Sequence, residues 1–234
     1  MEIKTNNNSF FLQFSKKATT MKILAASLMI LCLLSTESSA LQMPKTKKKT
    51  TTLQQDTPPR KYTIKSGIVT MQADMTGMKS TSVLYFDDYG RKEMTETFGN
   101  FGGIKIHEKV MTIGDYVYTL DLEKNTGTKK KLNGSPAPGT IDFSTISEKM
   151  MQDMGISKAG TDSVLDKQCQ VWMMDFKRMK ILGKYWVWNN IPLKSVAEVE
   201  GIKVEIEAVR IEENPKIPAS TFDTPLGMQI EEIK

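Results

Sequence analysis

His107 is the single histidine of this 234-residue chain, and Cys32 and Cys169 are its two cysteines. That excludes metal cages built from His and Cys, which need several such ligands converging on one ion. A hydrolytic triad needs a base, an orienting acid and an exposed nucleophile elbow. His107 sits instead in Ile104-Lys105-Ile106-His107-Glu108-Lys109, with no Gly-x-Ser-x-Gly anywhere in the chain. It reads as a solvated residue on the wet side of a strand. Acidic residues are plentiful, but they alternate along strand-like stretches as a solvated face requires, and no pair stands out as general acid and base. The expectation is a protein that is not an enzyme and carries no cofactor or metal.

Three other residue groups could hold a ligand. Thirteen Met follow residue 40, among them Met150, Met151 and Met154 in a helix-like stretch and Met173, Met174 and Met179 in later strands. Flexible thioethers line promiscuous apolar pockets, and they also fill irregular gaps in a core. A copper site lacks the compact Met-x-Met motif it would need beside His107. Tyr185-Trp186-Val187-Trp188 places large side chains on both faces of a strand, and Gly183 can switch its phase, so spacing does not decide which Trp points inward. Trp186 and Trp188 are candidates for a cavity wall or for ordinary core. Cys169, two residues from Val171 and four from Met173, reads as a small buried apolar residue without a resolving partner.

The elements that must position these residues are mostly strands. Tyr116, Tyr118, Leu120 and Leu122 alternate with polar positions, as do Ile202, Val204, Ile206 and Ala208. One dry face and one wet face is the antiparallel signature. Turn signals at Asp87-Asp88-Tyr89-Gly90, Gly99 to Gly103, Ile113-Gly114-Asp115, Asn125-Thr126-Gly127, Asn189 to Pro192 and Glu200-Gly201 predict successive hairpins. The apolar phase flips near Gly67 and again near Ala208, which predicts bulges or sharp coiling of a long sheet. One helix is predicted after the loop Asn133 to Thr140. Thr145 and Glu148 form a capping box, Ile146, Met150 and Met154 share a face, and Gly155 ends the helix. The expected fold class is mainly β (α+β): a strongly curved antiparallel sheet forming an unclosed half-barrel, covered on its concave side by helix. The helix stripe would lie over Tyr116, Tyr118 and Leu120.

Charge divides the chain. The formal net charge is +5, but the first 61 residues hold ten of the 32 basic side chains and three of the 27 acids. Residues 62–234 are therefore close to neutral, which argues against a nucleic-acid-binding core. From Met21 a Met-Lys start precedes an apolar run, Ile23 to Leu34, and a small polar stretch ending Ser38-Ser39-Ala40. A run of twelve residues is too short for a spanning helix, which takes about 20. The pattern is that of a secretory signal peptide cleaved after Ala40, with residues 1–20 an upstream extension. A periplasmic location is expected, a secreted one being the alternative. Residues 41–61 form a flexible basic leader, whose Lys45, Lys47, Lys48 and Lys49 could touch an anionic membrane surface weakly. Residues 62–234 form a single domain.

The order of short hairpins, one inserted helix, and Asp162-Ser163-Val164-Leu165-Asp166-Lys167-Gln168-Cys169 leading into a strand resembles the uncharacterised exported bacterial proteins grouped with the outer-membrane lipoprotein-sorting (LolA/LolB-like) superfamily. The resemblance is strongest at Lys184 to Lys194 and at Ile217 to Gly227, where a Phe-x-x-Pro-x-Gly finish occurs. It implies a half-barrel whose apolar concavity, in relatives, holds acyl chains of lipids or lipoproteins. The lipoprotein carriers begin with an amphipathic helix, whereas this chain has the polar leader. A lipid or acyl chain is thus the expected ligand, with Tyr116, Tyr118, Leu120, Ile146, Met150, Met154, Trp186 and Trp188 as the cavity lining. An envelope protein is the expected partner if the fold is instead a filled, non-catalytic interaction module.

Overall fold

The turn signals named above, Glu200 apart, fall where one strand gives way to the next. In a computed structural model of the chain, residues 60–132, 141–177, 180–199 and 201–233 are described. The signal-like segment, the leader to residue 59 with Lys45 to Lys49, most of the loop before the helix, Met179 and Glu200 lie outside the described residues. The described residues belong, Ile141 apart, to one compact unit of residues 56–135 and 142–234.

The strands are β1 (Gly67–Met75), β2 (Met78–Asp87), β3 (Lys92–Phe101), β4 (Ile104–Ile113), β5 (Tyr116–Asp121), β6 (Thr126–Lys131), β7 (Ile156–Val164), β8 (Lys167–Phe176), β9 (Ile181–Trp188), β10 (Ile191–Val199), β11 (Ile202–Glu213) and β12 (Gln229–Ile233). They make one sheet in the order β12-β6-β5-β4-β3-β2-β1-β11-β10-β9-β8-β7. Neighbours are antiparallel except β12 on β6, which is parallel. The fold is mainly β and its sheet unclosed, with β12 and β7 as the edges.

Register slips occur where the sequence phase changes. β1 and β11 shift between Thr70 and Met71, opposite Ala208 to Arg210, which is the flip seen near Ala208. β9 and β10 shift between Pro192 and Lys194, and β7 and β8 between Lys158 and Thr161. An extra residue on one strand bends it and increases local twist. The earlier flip has a different origin. Tyr62 and Ile64 precede the sheet, and the segment 60–66 runs between two turns, Tyr62 N–H donating to Tyr89 O and Thr63 N–H to Asn189 O. Lys61 Nζ lies 2.7 Å from the buried Glu93 carboxylate, which also accepts from the Tyr62 hydroxyl.

One α-helix occurs among the described residues, α1 (Glu148–Asp153), and none of its six residues is buried. Its cap is Ser147, whose Oγ accepts from Met150 N–H at 3.2 Å. Thr145, expected in that role, is taken up in a turn with Asp142. The helix neighbours the edge strand β7. Two clusters of buried apolar residues make the core. The larger gathers Tyr62, Val69, Phe86, Cys169, Trp186, Ile191 and Leu193. The smaller gathers Met94, Met111 and Leu120 under Phe222. Phe222 belongs to the strap 214–228, which leaves β11 at the middle of the sheet and reaches β12 at its edge.

Candidate ligand-binding face

Residues directly opposed on neighbouring strands share a face of the sheet, so the register sorts side chains into two surfaces. One row crosses eight strands as Trp172, Tyr185, Ser195, Ile206, Ala73, Ser80, Gly99 and Ile106. The next row on that face is Met174, Gly183, Ala197, Val204 and Met75. These rows are apolar or small throughout. The opposite face carries Val171, Trp186, Lys194, Glu207, Gln72, Thr81, Phe98 and His107. In these rows one face is apolar or small, and the other is mixed, charged at Lys194 and Glu207 and apolar at the buried Val171 and Trp186.

The dry face has a low floor. Ala73, Ser80, Ser195, Ala197, Gly99 and Gly183 occupy its middle strands, and three aromatic rings lie down over glycines. A Cβ built on Gly183 would stand 2.7 Å from the Tyr185 ring, one on Gly99 2.7 Å from Phe101, and one on Gly67 2.5 Å from Phe86. A ring can lie flat against a strand only where the neighbour has no side chain. Phe143 packs on this face, its ring centroid 5.8 Å from both Trp172 and Tyr185. At the β4–β5 end of the same face Glu108 stands directly opposite Asp121. Burial, and then the Asp121 charge, push the Glu108 carboxyl up to about 6, with Lys124 opposing them.

The residues expected to line a cavity do not converge. Tyr116, Tyr118 and Leu120 stand in register with the β4 residues that continue the charged face from His107. Leu120 is fully buried and packs with Tyr118 in the core under Phe222, and Lys129 Nζ sits 4.2 Å above the Tyr116 ring. Ile146 and Met154 are half-buried and Met150 is exposed. Trp186 is buried on the charged face. Its indole N–H donates to Asp162 Oδ2 at 2.8 Å, and Lys184 and Lys194 lie 4.5 and 5.6 Å from its ring centroid. That hydrogen bond, then the Ser163 N–H, holds the Asp162 carboxyl below the usual carboxylate range. Trp188 is half-buried, with Lys167 5.0 Å from its ring.

Two residues differ in state from one another. Cys169 is fully buried and free, as its spacing predicts, and burial raises its thiol pKa. His107 is not simply solvated: its Nε2 lies 2.7 Å from Glu96 Oε1, and its ring stacks on Phe98 with centroids 4.6 Å apart. The residues missed from sequence are Phe143, Trp172, Tyr185 and the small floor. Their signal was present in the pairs Gly99/Phe101 and Gly183/Tyr185, each a glycine two residues before a ring, at same-face spacing. A concavity of about 430 Å³ is lined by Gln72, Asp74, Lys79, Thr81, Phe98, Glu205 and Glu207 together with Ala73 and Ser80 of the first row.

No helix among the described residues is long and apolar enough to cross a membrane. No protein-family model and no curated protein matches the chain. Solved structures similar to it include an uncharacterised conserved protein from Thermus thermophilus, at 10% identity and a TM-score of 0.52, covering 73% of this chain and 92% of that one. MucB is similar at 11% identity and a TM-score of 0.47, over 71% of this chain and 60% of MucB, and it has also been solved in complex with MucA(peri). A putative outer membrane lipoprotein-sorting protein domain from Vibrio parahaemolyticus is similar at 8% identity and a TM-score of 0.34, over 68% of this chain and 89% of that domain. At these identities what is shown is likeness of fold alone, to the Thermus protein.

Proposed function

We propose that this chain is an exported, non-catalytic envelope protein that holds an apolar ligand, a lipid or acyl chain, against the dry face of its sheet. One observation carries the reading: the eight-strand row from Trp172 to Ile106, apolar or small at every position, with Tyr185 and Phe101 folded down over Gly183 and Gly99. A core meant only to be filled gains from tall interlocking side chains, whereas this floor is low, and in this reading the side chains that now bury Ser80, Ser195 and Ala197 part to admit a chain. In this reading the sheet curves into a half-barrel with the dry face inside, and Ile146, Met150 and Met154 stand at its rim. The signal peptide ends at Ala40, and Lys45 to Lys49 steady the leader on anionic headgroups.

The test is binding of a fluorescent fatty acid, with native mass spectrometry of the purified protein for lipid carried along. Ala73→Phe and Ala197→Phe raise the floor. Each should weaken saturable binding tenfold or more, at a stability cost of about 1–3 kcal/mol for overpacking. Absence of saturable binding to the wild-type protein would sink the carrier reading. A second reading, an interaction module with a filled dry face, is favoured by Phe143, which already occupies part of that face. It gains if the protein is empty and captures an envelope partner.

A further inference from the structure

The concavity of about 430 Å³ is used by nothing described so far, and its volume falls in the range of about 300–1,000 Å³ that small-molecule sites occupy. Register builds most of it from two short rows: Glu207, Gln72, Thr81 and Phe98 in one, Glu205, Asp74 and Lys79 in the next. Residues two apart on a strand share a face, so both rows stand together, and Ala73 and Ser80 complete the lining between them. Its large apolar member is Phe98, which is 41% exposed. That ring is fixed in place. His107, next in the same row, stacks on it with centroids 4.6 Å apart, and Glu96 Oε1 holds the imidazole at 2.7 Å. A rigid aromatic platform therefore borders the concavity.

The charges around it cancel. Glu207 pairs with Lys194 at 2.9 Å, Glu205 with Lys203 at 3.1 Å, and Asp74 stands directly opposite Lys79. An ionic ligand of either sign would have to displace one of these partners to gain another. An acyl chain would take the same polar groups out of water and give them nothing in return. What stays on offer is hydrogen bonding, because a carboxylate has about four acceptor sites, more than one lysine fills, and the Gln72 amide and Thr81 hydroxyl both donate and accept. We propose that this concavity binds an uncharged saccharide. Sugar hydroxyls donate to the free lone pairs of Glu205 and Glu207, and they exchange hydrogen bonds with Gln72 and Thr81. The C–H face of the sugar ring, slightly positive, lies on the negative face of Phe98.

The experiment presents the full chain to an array of neutral and acidic glycans. Neutral glycans should bind, and added salt should leave that binding unchanged, because no ion pair forms or breaks when an uncharged ligand enters. Phe98→Ala should weaken binding about tenfold, the loss of one stacked ring. If that variant fails to fold, Phe98→Leu keeps an apolar contact for His107, removes the flat ring and should show the same loss. Ala197→Phe lies in the second apolar row, outside the concavity, and should bind the same glycans as the wild-type protein. The saccharide site thus stands or falls apart from the acyl-chain reading. An array on which no neutral glycan binds, binding confined to acidic glycans at low salt, or undiminished binding by the Phe98 variants overturns the proposal.

Discussion

Glu108 is the residue whose charge the fold disfavours most clearly. Its carboxyl titrates at about 6 against an ordinary 4.5, because it is half-buried and faces Asp121. The folded state therefore binds this proton more tightly than the unfolded chain does. The resulting stability is whole below pH 4.5 and is lost as pH rises through about 6. Glu108→Gln keeps the neutral shape, so it should raise stability at pH 7 by about 1–2 kcal/mol and flatten the slope between pH 4.5 and 6. Urea midpoints of both proteins at pH 4.5 and pH 7 check this, and an unchanged slope in the variant would discard it. Nothing in the spacing of Glu108 announced the effect. It depends on Asp121, thirteen positions away, being directly opposite, and register of that kind is set by the intervening turn. Cys169 was readable because its surroundings, Val171 on the same strand, are local.

At the scale of elements, the turns were legible and the polar strands were not. Gly102, Gly114, Asn125, Asn189 and Asn190 all take the left-handed backbone that their residue types favour, so each turn could be read from composition. β6, β7 and β12 carry no apolar alternation, because they lie at or next to an edge and bury little. The cover over Leu120 was likewise hidden. It is supplied by the strap, about a hundred residues downstream, and the helix assigned to it is one short turn beside β7. Phe222 is the strap's buried anchor, with Met94 and Met111 beneath it. Phe222→Ala should cost about 3–5 kcal/mol, as buried aromatic truncations do. Hydrogen exchange should then quicken first in the strap and β12, and uniform acceleration across the sheet would show that the strap is no separate unit.

For the whole molecule, hydropathy patterning outlined two faces but not their extent. Ile202 to Ala208 announced a dry face, yet its continuation through Ala73, Ser80 and Gly99 rests on small residues that hydropathy does not flag. Trp186, the larger ring, faces the charged side, and Tyr185 takes the dry one. If residues 1–40 are removed, N-terminal sequencing of envelope material should begin at Leu41, and intact Met1 or Met21 recovered from the cytoplasm would withdraw the localisation.

The rings that lie over glycines bear on how this sequence can drift. Gly183 and Tyr185 occupy one volume between them, as do Gly99 and Phe101, so neither member is free to mutate alone. A methyl group gained at the glycine must be accompanied by a smaller side chain two residues on, and the reverse order opens a hole on the dry face. Across descendants of this gene the two positions should therefore covary, glycine with a ring or a side chain with none, and a lineage holding both a ring and a branched neighbour would have to have moved the strand beneath them.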